Sequence, residues 1–217
     1  MLKAFFFILV MSNALCFADN SPHSPECDCG KAMLEGRINP NNHRYHTFLS
    51  SLNLLCTKHS PVIVETGTAR AGSRWCDSDG CSTLIFADWV KNHGGEFYSV
   101  DISEANLQNA ADALGDARLF VHLVHSDSIP FLSNFNRPID FLYLDSYDYE
   151  YANPNPSQQH HLKEIVAAYP WLTPTSVVMI DDCALEGGGK GKLVIAYLQE
   201  RGWKILVDGY QVILVQK

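Results

Sequence analysis

The feature that most constrains this chain is a recurring pattern: short apolar runs that each stop at an acid. Val62-Ile63-Val64 runs into Glu65, residues 97–100 into Asp101, Ile139–Leu144 into Asp145, and residues 176–180 into Asp181-Asp182. Runs this short and this apolar read as strands buried on both faces, which is the signature of a parallel sheet. Residues 119–124 read as one more such strand. Amphipathic spacing predicts helices between them, over Ser82–His93, Glu104–Leu114, 158–169 and 190–201. Tyr45, Phe48, Leu49, Leu52 and Leu55 predict a further helix within residues 43–58, before the first strand. Trp203–Val207 and residues 211–215 are separated only by Asp208-Gly209-Tyr210, too short a link for a parallel crossover, so they form an antiparallel hairpin. The expected architecture is α/β: a mostly parallel seven-stranded sheet with a C-terminal antiparallel hairpin and helices on both faces.

The 217 residues, 47% hydrophobic and 18% charged, suffice for one domain with a full core. A net charge of −8 gives no electrostatic reason to expect nucleic acid as a partner. Lys3 followed by the apolar stretch Ala4 to Met11, and a small residue at Ala18, has the pattern of a secretory signal peptide over residues 1–18. That pattern places the chain outside the cell or in a periplasm. The alternative is an uncleaved N-terminal membrane anchor; no other segment reads as a membrane span. Residues 19–42, rich in Ser, Pro, Asn and Gly, read as an arm without regular structure, leaving residues 43–217 as the domain. Beyond the leader stand Cys27, Cys29, Cys56, Cys76, Cys81 and Cys183, an even set that permits disulfides. Cys76 and Cys81 bracket the turn sequence Asp77-Ser78-Asp79-Gly80 and are the expected pair. Cys27-x-Cys29 lacks a second Cys/His pair at zinc-ligand spacing.

Open parallel sheets bind ligands beyond the carboxyl ends of their strands. Glu65, Asp101, Asp145 and Asp181-Asp182 stand at those ends, and Asp127 closely follows the third strand. In Glu65-Thr66-Gly67-Thr68-Ala69-Arg70-Ala71-Gly72, Gly67 permits a sharp turn and small residues keep the approach to a ligand open. An ordinary strand-to-helix turn would look similar. The spacing is not G-x-G-x-x-G, which counts against a dinucleotide-dependent oxidoreductase. Asp101 can accept hydrogen bonds from ribose hydroxyls. Gly187-Gly188-Gly189-Lys190-Gly191-Lys192 is not a phosphate-binding P-loop and reads as a flexible loop over the site, with Lys190 and Lys192 either meeting an anionic acceptor or solvated.

The order of these pieces, with the closing hairpin, resembles the class I S-adenosylmethionine-dependent methyltransferases over roughly residues 43–217. Val64-Glu65-Thr66-Gly67, Leu144-Asp145 and Ile180-Asp181-Asp182 resemble, more narrowly, the macrocin-type sugar O-methyltransferases. The resemblance implies a Rossmann-like methyltransferase fold that binds S-adenosylmethionine. Glu65, Gly67, Thr68 and Gly72 would surround the methionine moiety, Asp101 the ribose, and Ser126 and Asp127 the adenine. Asp145 would stand beside the sulfonium as the catalytic residue. It also implies magnesium held by Asp145, Asp181 and Asp182, a cation that would offset the repulsion of three adjacent carboxylates. The implied reaction is methyl transfer to a hydroxyl of a small molecule or carbohydrate acceptor, with a homo-oligomer permitted. Departures from the pattern are Ala71, where many members carry Gly, and the polar insertion at 74–81. Asp148, His160 and His161 are candidates for a general base; Tyr147, Tyr149 and Tyr151 either line the acceptor pocket or anchor loops. The signal peptide raises a second reading, because S-adenosylmethionine is made in the cytosol: an exported binding or effector protein that keeps the fold without turnover.

Overall fold

The computed structural model describes residues 29–216. The leader at 1–18 and Cys27 lie outside them. In chain order the elements are α1 (Cys29–Leu34), α2 (Tyr45–Cys56), β1 (Val62–Thr66), α3 (Cys76–Asp79), α4 (Ser82–His93), β2 (Glu96–Asp101), α5 (Glu104–Leu114), β3 (Val121–His125), α6 (Ser128–Ser133), β4 (Ile139–Leu144), α7 (Asn155–Ala168), β5 (Leu172–Ile180), α8 (Lys192–Gln199), β6 (Trp203–Val207) and β7 (Val212–Gln216). The seven strands lie in the order β3-β2-β1-β4-β5-β7-β6. β1 to β5 are mutually parallel, and β7 runs antiparallel to both β5 and β6. This is the Rossmann-like methyltransferase sheet, with the terminal hairpin as expected.

Side-chain alternation along the strands divides the core in two. Ile63, Phe97, Phe141, Tyr143 and Met179 point to one face, against α2 and α4. Val64, Leu142, Leu144, Val178 and Ile180 point to the other, against α7 and α8. Phe86 on α4 centres the first cluster, its ring 5.3 Å from Phe141, 5.9 Å from Phe97, 6.0 Å from Tyr143 and 6.1 Å from Phe48. Truncating a buried ring of this kind costs about 3–5 kcal/mol. Among the described residues no helix is long and apolar enough to cross a membrane.

Three helices depart from the sequence expectation. Residues 29–34, expected to be irregular, form α1 because Leu34 is wholly buried against α2. At Gly30 an added Cβ would lie 3.0 Å from the Cβ of Leu52, so tertiary packing selects a helix that local composition does not. α3 winds inside the disulfide loop, where Cys76 and Cys81 are paired as expected. α6 carries Pro130 in its first turn, a tolerated position, and is started by Asp127, whose side chain accepts from the amide of Ile129 at 2.9 Å. β5 begins at Leu172, earlier than the 176 expected, and its pairing with β4 slips around Pro174.

Candidate active site

Two adjoining cavities open at the carboxyl ends of β1, β2 and β4. One, of 180 Å³, is lined by Gly67, Thr68, Asp101, Asp145, Asp182 and Lys190 among others. The second, of 310 Å³, is lined by Gly67, Asp101, Ser126, Asp127, Tyr147 and His160 among others. They share Gly67, Asp101, Ile102 and Ser146, so together they form one cleft. A wider groove of 750 Å³ beside α1 shares none of these residues.

The turn after β1 is built for close approach. At Gly67, where φ is +82°, an added Cβ would lie 2.5 Å from the carbonyl oxygen of Asp145. Only glycine lets β1 leave the sheet this near to β4. The amide of Thr68 donates to Asp101 at 3.1 Å. Asp101 also accepts from the amide of Ser103 at 2.7 Å and from Asn106, which fixes its carboxylate at the junction of the two cavities. Ser126 and Asp127 line the second cavity. Part of the capacity of Asp127 is already spent on capping α6.

Glu65 and Gly72 line neither cavity. Glu65 is wholly buried beneath the turn because, at two residues from Ile63, it points toward α4. Its Oε2 accepts from Thr83 at 2.7 Å and from Ser99 at 2.5 Å. Thr83 in turn accepts from the amide of Ala69 at 2.8 Å, so Glu65 supports the turn from below. Burial pushes its carboxyl up to about 7, against the opposing hydroxyl hydrogen bonds. Gly72 faces α5, where an added Cβ would lie 3.0 Å from the Cβ of Ala113.

The acidic cluster is drawn together as expected: one oxygen from each of Asp145, Asp181 and Asp182 lies within 4.8 Å of the others. Sequence reasoning missed the two cations that hold it. Arg44, 5% exposed, donates through Nε and Nη2 to Asp181 at 3.1–3.3 Å and through Nη2 to Asp182 at 3.2 Å. Lys190, 2% exposed, places Nζ 2.5 Å from Asp145 and 3.1 Å from Asp182. Tyr210, in the hairpin link, donates to Asp182 at 2.6 Å and lies under the Arg44 guanidinium, 4.5 Å from ring centroid to Cζ. Lys190 is therefore neither solvated nor free for an acceptor. The glycine loop is also pinned, by Gln158 donating to the carbonyls of Gly187 and Gly189 and by Tyr149 donating to that of Glu186. Fully ionised, the three carboxylates would outnumber the two cations by one. Burial and the neighbouring acids push the carboxyl of Asp145 well up, while the three carboxylates keep Lys190 charged despite its burial.

The donor set has the oxygen chemistry that magnesium takes, at about 2.0–2.1 Å. Each of the three carboxylates, however, is already bonded to a cation of the chain, and Nζ of Lys190 stands against two of them. As arranged, these residues do not fit a further divalent ion. They do fit a cofactor with a ribose: a backbone cradle at Gly67, an oriented carboxylate at Asp101 and an acidic floor at Asp145.

The remaining candidates separate by position. His161 is wholly buried, bonded through Nδ1 to the carbonyl of Ser157 at 2.7 Å, and burial lowers it to about 4. His160 lines the second cavity; burial opposes its protonation but Glu164, 3.4 Å away, outweighs it and raises the imidazole. Asp148 is tied to Arg70 at 2.8 Å on the rim. Tyr147 lines the second cavity, while Tyr149 anchors the glycine loop and packs edge-on against Tyr151.

Comparison with known proteins agrees with this geometry. Residues 78–183 match a family model described as a methyltransferase domain. No curated protein matches the sequence. A Streptococcus mutans protein solved in complex with S-adenosylhomocysteine superposes with a TM-score of 0.55 at 12% identity, covering 77% of this chain and 96% of that one. A SAM-dependent O-methyltransferase from Thermotoga maritima superposes with a TM-score of 0.53 at 14% identity, covering 77% and 63%. An rRNA methylase from Streptococcus thermophilus gives 0.50 at 14% identity, covering 77% and 94%. At these identities the likeness is one of fold.

Proposed function

Since the chain has the class I S-adenosylmethionine-dependent methyltransferase fold, we propose that it transfers the methyl group of S-adenosylmethionine to a hydroxyl of a small molecule or sugar, as the macrocin-type enzymes it resembles do. The observation that carries this reading is the cleft itself: Asp101 at the junction of its two cavities, with the acidic cluster of Asp145, Asp181 and Asp182 at one end. Asp101 would take the ribose, Ser126 and Asp127 the adenine side, and Gly67 and Thr68 the methionine side. The bound cofactor supplies a sulfonium methyl group open to in-line attack.

Asp145 has two tasks at that end. When ionised it favours a cationic centre beside it, and its carboxylate, made more basic by burial, can take the proton released as the acceptor oxygen forms its bond to carbon and the sulfur–carbon bond breaks. Lys190 fixes Oδ1 of Asp145, so the carboxylate is oriented before any ligand arrives. Magnesium assistance is left out because Lys190 and Arg44 already pair the acids. A neutral hydroxyl acceptor is favoured over nucleic acid by the net charge of −8 and by the acids around the first cavity. The Cys76–Cys81 disulfide and the disulfide-bonded Cys56 support an exported setting.

Calorimetry of the mature chain with S-adenosylhomocysteine tests the reading. Saturable one-to-one binding is expected, and the absence of binding would overturn it. Tight binding without methyl transfer to any hydroxyl acceptor in a carbohydrate panel would favour the exported binding protein.

A further inference from the structure

Lys190 is delivered to the acidic cluster by a backbone arrangement that has no other evident purpose. At Gly189, where φ is +56°, an added Cβ would lie 1.8 Å from the carbonyl oxygen of Asp182, so the loop can pass over Asp182 only as glycine. The amide of Lys190 then donates to that same carbonyl at 3.1 Å, and the side chain turns inward to Asp145 and Asp182. Gln158 holds the loop from α7 through two carbonyls. Asp182 itself has a φ of +52°, a conformation L-residues rarely adopt, and Tyr210 and Arg44 fix its Oδ1. A solvated lysine on a mobile loop would need none of this.

We infer that the Lys190 ammonium is this chain's built-in replacement for a divalent cation, and that the site works without a metal. The inference rests on the methyltransferase reading only for the reaction served; the exclusion of a metal stands on the geometry alone. The ammonium is a compact charge with three donors, and two of its directions are taken by Asp145 and Asp182. It offsets one of the three acidic charges, while Arg44 offsets a second with a planar fork on Asp181. A divalent ion entering the cluster would have to displace Nζ from both carboxylates or share their oxygens with it, cation against cation. Lys190 is thus a positioning residue: it holds the carboxylate of Asp145 in place and supplies the positive charge that a metal would otherwise bring.

The test is Mn²⁺ titration of the full mature chain, followed by the electron paramagnetic resonance signal of free Mn²⁺. The parent chain should leave that signal unchanged up to millimolar concentrations. Lys190→Met, which keeps the stem and removes the charge, should gain a Mn²⁺ site at least tenfold tighter, and Lys190→Arg should not. Submillimolar binding by the parent that Asp182→Asn abolishes would overturn the inference. So would a folded Lys190→Met chain, checked by circular dichroism, that gains no site. If Lys190→Met does not fold, the parent titration decides the matter. Failure to bind S-adenosylhomocysteine would sink the methyltransferase reading and leave the Mn²⁺ result standing, so the two failures are distinguishable.

Discussion

Glu65→Gln asks whether the turn beneath the cleft rests on a neutral carboxyl. Glu65 is wholly buried, with Thr83 and Ser99 bonded to a single oxygen. Burial raises its pKa to about 7 from an ordinary 4.5. The folded value lies above the unfolded one, so this group's stabilising contribution is fully present below about pH 4.5 and is lost as pH rises through 7. At about 1.36 kcal/mol for each pH unit of separation, the full loss is about 3 kcal/mol. Glutamine cannot ionise, and its carbonyl can still accept from both hydroxyls. Urea denaturation of parent and variant at pH 5 and pH 8.5 measures the difference, with all other titrating groups common to both. Near-equal stability at pH 5, within about 1 kcal/mol, is expected. At pH 8.5 the variant should be the more stable by about 2–3 kcal/mol. Parallel pH profiles would show that Glu65 is ionised in the folded chain, and the account of the turn would fail.

Gly67→Ala forces a Cβ toward the Asp145 carbonyl at a left-handed φ and should cost about 2–5 kcal/mol, seen as a fall in melting temperature of about 5–15 °C; an unchanged melting temperature would mean the turn has room to spare. Arg44→Met leaves Asp181 buried without its partner and should cost about 3–5 kcal/mol in denaturant titration. Combined with Asp181→Asn in a double-mutant cycle, it should show coupling of about 1–3 kcal/mol, and simple additivity would refute the pairing. Asp101→Ala should weaken S-adenosylhomocysteine binding about 10- to 100-fold by calorimetry, the value of hydrogen bonds to a charged acceptor; parent-like affinity would remove Asp101 from the cofactor site.

The strands were the most legible part of the chain, since β4 and β6 have the very bounds that their apolar runs predict, and α4 and α5 likewise. A buried parallel strand needs apolar side chains on both faces, and few other structures produce that texture. The gathering of Asp145, Asp181 and Asp182 was legible for the same reason, because β4 and β5 are neighbours. What the side chains do once gathered was less so. The place of Glu65 could have been read from parity, since it shares a face with Ile63, which belongs to the core beneath α4. No comparable signal marked Arg44 or Lys190. One is a lone arginine at the start of a helix and the other a lysine after three glycines, and only the packing of α2 and the strain at Gly189 aim them inward.

Arg44 lies 137 residues before Asp181, and Lys190 and Tyr210 both follow the matched stretch of 78–183. That stretch contains every acid of the cluster and none of these three groups. The stretch matched by the family model thus carries the acids, and their counter-ions come from its two flanks. The flanks on either side of residues 78–183 therefore decide which ion the site keeps.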